Sequence, residues 1–550
     1  MTLVKDGRQT QEVPRSSYNG VFVGVSLGVA ILGSIIGLQL ITTLGISPNT
    51  SIIGALIAMI IARIPLKALA RFKNIHNQNL LQTTISAATF GTANSLLIPI
   101  GIPYALGMPE LVKPLLVGVA FALIFDALML FWVFDSKLFG ANEVWPAGVA
   151  TAEAIKAGDQ GGEKAKHLGI GVTGGILGAV IGVPMSAFGT AFIGNIFALT
   201  AFGVGLLASS YAEPIFGVNV ADLYIPHGVM IGAGIVALGQ FVGILYKNRE
   251  SSQSPVKESV DHGLVDETKG TGAAGHTFTR STKDVTRAFS IGFALYMSGA
   301  LLIAVLGGVL SELSPLGIVG FVLYAAFGAF MTEIIVGIAA MHSGWFPAFA
   351  VTLIFLVVGI LLQFPTASLA LLTGYIAATG PAFADMGFDF KTGFILRKGQ
   401  PSEIELFGRK QQVKAGIIGF FVATAMVTLA HDMYFSQDLL PPVDRVFART
   451  IEAGADPEVA KYLLLWSVPG ALIQLIGGTR KQIGIMLATG LLLVNPKAGW
   501  AVLAGILIRV LILKIKGRDA EGTMYTLAAG FIAGDAIYSF GSSSLKAVVK

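Results

Sequence analysis

The sequence contains no cysteine, which excludes disulfides, iron–sulfur clusters and thiolate metal sites and says nothing about compartment. Charge is scarce: 13% of the 550 residues are Asp, Glu, Lys or Arg, whereas a soluble domain carries about a quarter. That shortage excludes an ordinary cytosolic enzyme. The seven histidines are scattered at 76, 167, 227, 262, 276, 342 and 431 with no HExxH or similar ligand cluster, so neither a metal site nor any cofactor is expected. The chain also lacks a Walker A signature, which argues against ATP-driven transport by this chain alone. The polar start MTLVKDGRQTQEVPRSS shows no cleavable signal peptide.

What the sequence has is apolar length. It is 54% hydrophobic with 68 glycines and a mean hydropathy of +0.75, enough for on the order of 12 to 18 spans of about 20 residues each. The net charge of +5 sits in short loops between apolar runs, which is the positive-inside pattern and not a nucleic-acid surface. Spans are expected near 20–44, 49–70, 80–104, 113–134, 168–190, 192–210 and 226–246, then near 288–310, 315–340, 346–363, 365–383, 413–431, 458–476, 482–494, 497–513 and 522–540. Residues 1–19 form a cytoplasmic tail, and the hydrophilic stretch 247–287 reads as a disordered cytoplasmic linker between two transmembrane halves, 20–246 and 288–550. Two halves of similar span number are the layout of secondary transporters built from repeats, a fused array without symmetry being the alternative. Seven spans before 247 would put the basic linker outside, so either 141–157 or 211–225 must cross or re-enter. Both mix Pro, Gly and a carboxylate, and such backbone is tolerated at membrane depth only where it is enclosed, so both are candidates to line a pathway.

Ionisable groups inside apolar runs are expensive, and each is a functional candidate. Asp126 lies mid-run in LVGVAFALIFDALMLFWVF, where proton or substrate coupling competes with a structural hydrogen bond. Glu333 is similar, and His342 follows nine residues on; two and a half turns set them on opposite faces, which weakens a direct relay. Asp535 interrupts a small-residue helix, and His431–Asp432 at the end of an apolar run reads as a solvated cap as readily as a site. Asn79, Gln82 and Thr83 share one turn, suited either to an amide-rich solute or to interhelical hydrogen bonds.

Four stretches carry a resemblance. ADMGFDFKTGFIL, with Asp389, Phe390, Lys391, Thr392 and Gly393, resembles the D-F-K-T-G motif of the oligopeptide transporter superfamily, particularly its yellow stripe-like branch. WPAGVATA is similar to that branch's Y-P-S-G-T-A-T-A, keeping Pro146, Gly148, Ala150, Thr151 and Ala152 but with Trp145 for Tyr, Ala147 for Ser and Val149 for Thr. NLLQT, Asn79 to Thr83, resembles N-x-x-Q-T, and GFIAGDAIYSFGSSSL resembles the terminal G-D-G-L-W…S-S segment through Gly534, Asp535, Ser542 and Ser543, with Ala536 for Gly and Tyr538 for Trp. The resemblance implies an all-α polytopic membrane protein of roughly 14–16 helices in two related halves with re-entrant or broken segments. It also implies proton-coupled symport of short peptides or metal chelates, with 144–157 and 383–398 lining the pathway. The lost hydroxyls argue against carrying over the selectivity of plant chelate carriers, and the short tail and compact loops look prokaryotic. Lys391 beside Asp389 in a glycine-flanked break could bind a peptide carboxylate as a point charge while Asp389 holds it in place, or could be a loop lysine obeying the positive-inside rule.

The expectation is therefore a multi-pass transporter of the inner membrane that imports short oligopeptides with protons by alternating access. A metal–chelate symporter is the alternative, and an integral-membrane enzyme or channel the reading from another class. Expected partners are a peptide-like solute, protons and the bilayer, with no nucleic acid and homo-oligomerisation left open. The candidate pathway residues are Asn79, Gln82, Thr83, Trp145, Pro146, Gly148, Thr151, Asp389, Lys391 and Thr392; the candidate coupling residues are Asp126, Glu333, His342 and Asp535.

Overall fold

A computed structural model describes residues 18–45, 50–158, 163–251, 278–343, 346–398, 400–454 and 456–549, and these form helices without strands. Ten helical stretches among them are long and apolar enough to cross a membrane. The first half runs α1 (Gly20–Leu44), α2 (Thr50–Arg63), α3 (Ile75–Phe90), α4 (Ile98–Ala105), α5 (Val112–Val133), α6 (Pro146–Gly158), α7 (Glu163–Val180), α8 (Met185–Ile193), α9 (Ile196–Phe216) and α10 (Ile225–Ser251). The second runs α11 (Thr282–Leu306), a short α12 (Val309–Glu312), α13 (Pro315–Ser343), α14 (Ala348–Leu361), α15 (Thr366–Ala378), α16 (Pro381–Leu396), α17 (Ser402–Phe435), α18 (Pro442–Ala453), α19 (Pro457–Lys481), α20 (Ile483–Leu491), α21 (Pro496–Lys516) and α22 (Glu521–Val549). The core of the expected linker, 252–277, lies outside the described residues, and α10 extends past its expected start at 247.

Two spans are broken at their middles, and both lie almost wholly inside the protein. The first passes from α3 to α4 through a π-helical turn, Gly91–Leu97, just ahead of Pro99, whose missing N–H cannot continue the regular ladder. The second stops at Ala378, extends through Thr379 and restarts at Pro381 after Gly380, whose φ of 93° only glycine adopts without strain. The break thus precedes the D-F-K-T-G residues, which lie on the continuous helix α16 rather than in an opened segment.

The last four helices of each half form matching sets that exchange partners. Helix α7 packs on α22 and α10 on α19; α9 packs on α20 and α21 on α8; α9 and α21 cross one another. Glycines allow the close approaches: a Cβ on Gly171 would sit 2.9 Å from Gly530 Cα, and one on Gly470 would sit 2.6 Å from Val229 Cα. The correspondence is written in the residues. Ala165, Lys166, Leu168, Gly175, Ile181 and Gly182 recur 295 positions later as Ala460, Lys461, Leu463, Gly470, Ile476 and Gly477. The N-caps of α9 and α21 correspond too, Asn195 accepting from the Ala198 N–H at 3.1 Å and Asn495 from that of Ala498 at 3.0 Å. The halves are related but not separate, because α17 packs on α1 and α3, and α16 lies between α3 and α6.

Candidate functional site

Three of the four sequence patches meet around α16. Asn79 donates to Gln82 at 3.1 Å, and the Gln82 carboxamide donates a short hydrogen bond to Asp389 Oδ1, joining α3 to α16. Gln412 of α17 reaches the same place, donating to the Asp389 carbonyl at 2.6 Å and to Thr83 Oγ1 at 3.5 Å. On another side, Thr392 Oγ1 donates to the Gly148 carbonyl at 3.0 Å. Gly148 is needed for the approach, since a Cβ there would overlap the Phe388 carbonyl and sit 2.7 Å from Lys391 Cβ. Thr151 is turned into its own helix, donating to Ala147 O at 2.8 Å.

Trp145 anchors this junction. It is fully buried, its indole N–H donates to Gly140 O at 2.9 Å, its backbone N–H donates to Met341 O at 2.8 Å, and its ring lies against Gly387. Its φ of 40° is strained for an aromatic residue and is held by those contacts. Pro146 follows as the first residue of α6, where its fixed φ and missing N–H suit a helix start.

Lys391 and Asp389 do not pair. Two residues apart on a continuous helix they point about 200° away from each other, and Lys391 Nζ instead donates to the carbonyls of Ala141 and Glu143 at 2.8 and 2.7 Å. Lys391 therefore fastens the loop before α6 and is no free point charge for a peptide carboxylate. Beyond it, Arg397 is held by Glu405 at 2.8 Å and Gln412 at 3.0 Å, and Arg409 by Glu405 at 3.4 Å and Asp135 at 3.7 Å, a buried network that the sequence reading missed.

The coupling candidates separate into different places. Asp126 accepts from Tyr296 Oη at 2.7 Å and from the backbone N–H groups of Gly380 and Phe383 at 2.8 and 3.3 Å, so it caps the restarted half-helix α16. Both Glu333 oxygens are buried without a hydrogen-bond partner, the Tyr296 hydroxyl donating its hydrogen bond to Asp126. His342 is not near Glu333: its Nδ1 is 3.8 Å from Glu143 at the loop before α6. Asp535 lies apart from the other patches and caps α8, accepting from Ser186 N–H at 2.6 Å. His431 is buried, its Nδ1 2.9 Å from Val427 O, although Asp432 beside it is exposed. The segment 211–225 is mostly exposed and lines nothing internal.

Two carboxylates escaped the sequence reading. Asp385, one turn before Asp389, is ringed by the hydroxyls of Thr50, Ser51 and Ser86. Asp444 of α18 is fully buried against Gly101 with neither oxygen hydrogen-bonded. Neither stood out because both lie near other polar residues, not alone inside an apolar run.

Where the broken helices end there is a cavity of about 280 Å³, bounded by residues from both halves. Its walls are largely aromatic and aliphatic, with Phe90, Phe346, Phe349 and Phe447 facing the neutral polar groups of Asn94 and Gln482. Every described residue lining it is uncharged. The first turns of α14, α16 and α20 reach its wall through Ala348, Pro381 and Ile485; Asp126 caps the start of α16 and Gln474 accepts from the Gly484 N–H at the start of α20, while that of α14 has no side-chain cap.

A family model described as OPT oligopeptide transporter protein matches residues 21–245 and 216–546. No curated protein matched the chain.

Proposed function

The chain belongs to the OPT oligopeptide transporter family, and from that premise we propose that it is a proton-coupled symporter importing short oligopeptides across the inner membrane by alternating access. The cavity between the halves carries the reading. Its volume of about 280 Å³ gives room for part of a short peptide. Phenylalanine walls suit apolar side chains, carboxamides suit peptide groups, and the start of α14, which no side chain caps, suits a terminal carboxylate without requiring a basic side chain. A metal chelate bearing several charges finds no ionic partner among the described residues there, which favours the peptide over the chelate.

The junction around α16 then acts as the rigid neighbour of this cavity. Gly148, Trp145, Thr392 and Lys391 lock α6 and its preceding loop to α16, so a solute touching Pro381 bears on a helix tied to both halves. The carboxylates available to carry a proton are those with unpartnered oxygens, Glu333 and Asp389 among them. Asp126 and Asp535 hold helix ends, and His342 serves the loop before α6.

The test is uptake by proteoliposomes of labelled tetra- and pentapeptides against metal–chelate substrates, each with and without an inward pH gradient. Peptide accumulation that rises with the gradient supports the reading. Accumulation of chelates alone, or uptake indifferent to the gradient, contradicts it.

A further inference from the structure

Asp385 and Asp389 are four residues apart on α16 and so share one face; both are buried, with 2% and 0% exposure. Their surroundings differ in one respect. Asp385 is supplied with hydroxyl donors: Thr50 at 3.3 Å and Ser51 at 3.5 Å to Oδ1, and Ser86 at 3.0 Å to either oxygen. Asp389 Oδ1 accepts from Gln82, while its Oδ2 is buried without a hydrogen-bond partner. Ser51 Oγ also lies 3.0 Å from Ser86 Oγ, which links the two hydroxyls beside Asp385.

Among the described residues, no cation balances the two. On the same helix Lys391 is bound to carbonyls, and Arg397 at its end is bound to Glu405 and Gln412. Of the helices packed on α16, α2 brings Thr50 and Ser51, with Arg63 at its far end, and α3 brings Gln82 and Ser86, with His76 at its start. Helix α6 brings Glu153 and Lys156, paired to each other; α5 brings Asp126, with Lys113 at its start; α13 brings Glu333 and His342; α17 brings Arg409, held by Glu405 and Asp135, with Glu403, Lys410, Lys414 and Asp432 along its length. Two adjacent buried carboxylates without a counter-ion cannot both stay ionised, whereas one that is saturated with donors can stay ionised beside a neutral one.

We propose that Asp385 and Asp389 form the seat of the coupling proton, Asp389 carrying it on Oδ2 and Asp385 remaining the hydroxyl-stabilised anion. The proton binds the Asp389 carboxylate from one side and leaves it on the other, with Asp385 unchanged in charge. Glu333 beside Asp126, which accepts from Tyr296 and two backbone N–H groups, is the rival pair; Asp389 is preferred because it lies on α16 itself, the helix whose first residue lines the cavity. The position also links proton to solute: Pro381, on the cavity wall, is one turn, roughly 6 Å along the helix axis, from Asp385. The inference rests on the proton-symport reading above and names the group that performs it.

The experiment compares full-length wild type, Asp389→Asn, Asp389→Glu, Ser86→Ala and Thr50→Val in proteoliposomes, reading peptide uptake with and without a pH gradient and uptake against pH without one. Expected are wild-type stimulation by the gradient, its loss in Asp389→Asn down to the gradient-free level, and its partial return in Asp389→Glu. In Ser86→Ala and Thr50→Val the Asp385 anion loses a donor and begins to compete with Asp389 for the proton, so the pair holds that proton to higher pH and the midpoint of the pH profile should move upward, which a purely structural role would not produce. Asp389→Asn that elutes as wild type in size exclusion and is still stimulated overturns the proposal, as do unmoved midpoints in both hydroxyl variants. Wild type indifferent to the gradient, or driven by sodium instead, overturns the proton-symport reading itself and this assignment with it.

Discussion

Gly148 shows how a motif residue works without touching solute. The space its missing side chain leaves is filled by the Phe388 carbonyl and the Lys391 stem, both part of α16. Gly148→Ala must push two helices apart and is expected to destabilise by about 1–3 kcal/mol, read as a lower thermal midpoint in detergent; an unchanged midpoint would mean that the junction is loose. Lys391→Met strips the donor from the carbonyls of Ala141 and Glu143 and should cost about 1–3 kcal/mol, with the pH dependence of uptake retained. The patches that meet here were legible in the sequence as patches, and their meeting was not. The expected Asp389–Lys391 pair failed on helix geometry: residues at i and i+2 diverge once the segment is continuous helix, and the glycines flanking it had suggested a break that lies earlier, at Gly380.

Among the elements, the half-helices matter most, because their ends need partners that a continuous span does not. Asp126 supplies two acceptor contacts to the start of α16 and accepts a hydrogen bond from Tyr296. Asp126→Ala should therefore lower stability by about 1–2 kcal/mol, the range for losing an N-cap, and Asp126→Asn, which keeps an acceptor, by less. Equal thermal midpoints for the two would remove the capping role. A carboxylate alone in an apolar run is easy to find and hard to interpret, since Asp126 and Asp535 both proved to hold helix starts. Asp385 was hidden for the opposite reason: its donors come from α2 and α3, about 300 residues away in sequence, as the 299-residue separation from Ser86 shows.

For the molecule as a whole, composition was sufficient to predict a polytopic helical membrane protein, and ten helices fit for crossing are present among the described residues. The two-half layout was legible only as matching span numbers. Its residue-level evidence, the 295-position recurrence of Ala-Lys-x-Leu and its glycines, required knowing that α7 answers to α19. Those glycines bring α7 against α22 and α10 against α19, so Gly175→Leu and Gly470→Leu should each prevent stable assembly of a related helix pair. Loss of the monodisperse peak on size exclusion in both variants is the expected outcome; wild-type profiles would argue that the crossings are dispensable.

The central claim is that solute and proton move together. It is tested most directly in proteoliposomes that enclose a pH-sensitive dye, with equal pH on both sides and a tetrapeptide added outside. The account predicts that the lumen acidifies as peptide enters, and that Asp389→Asn abolishes the acidification. Peptide entry by the wild type with no change in lumen pH would contradict it.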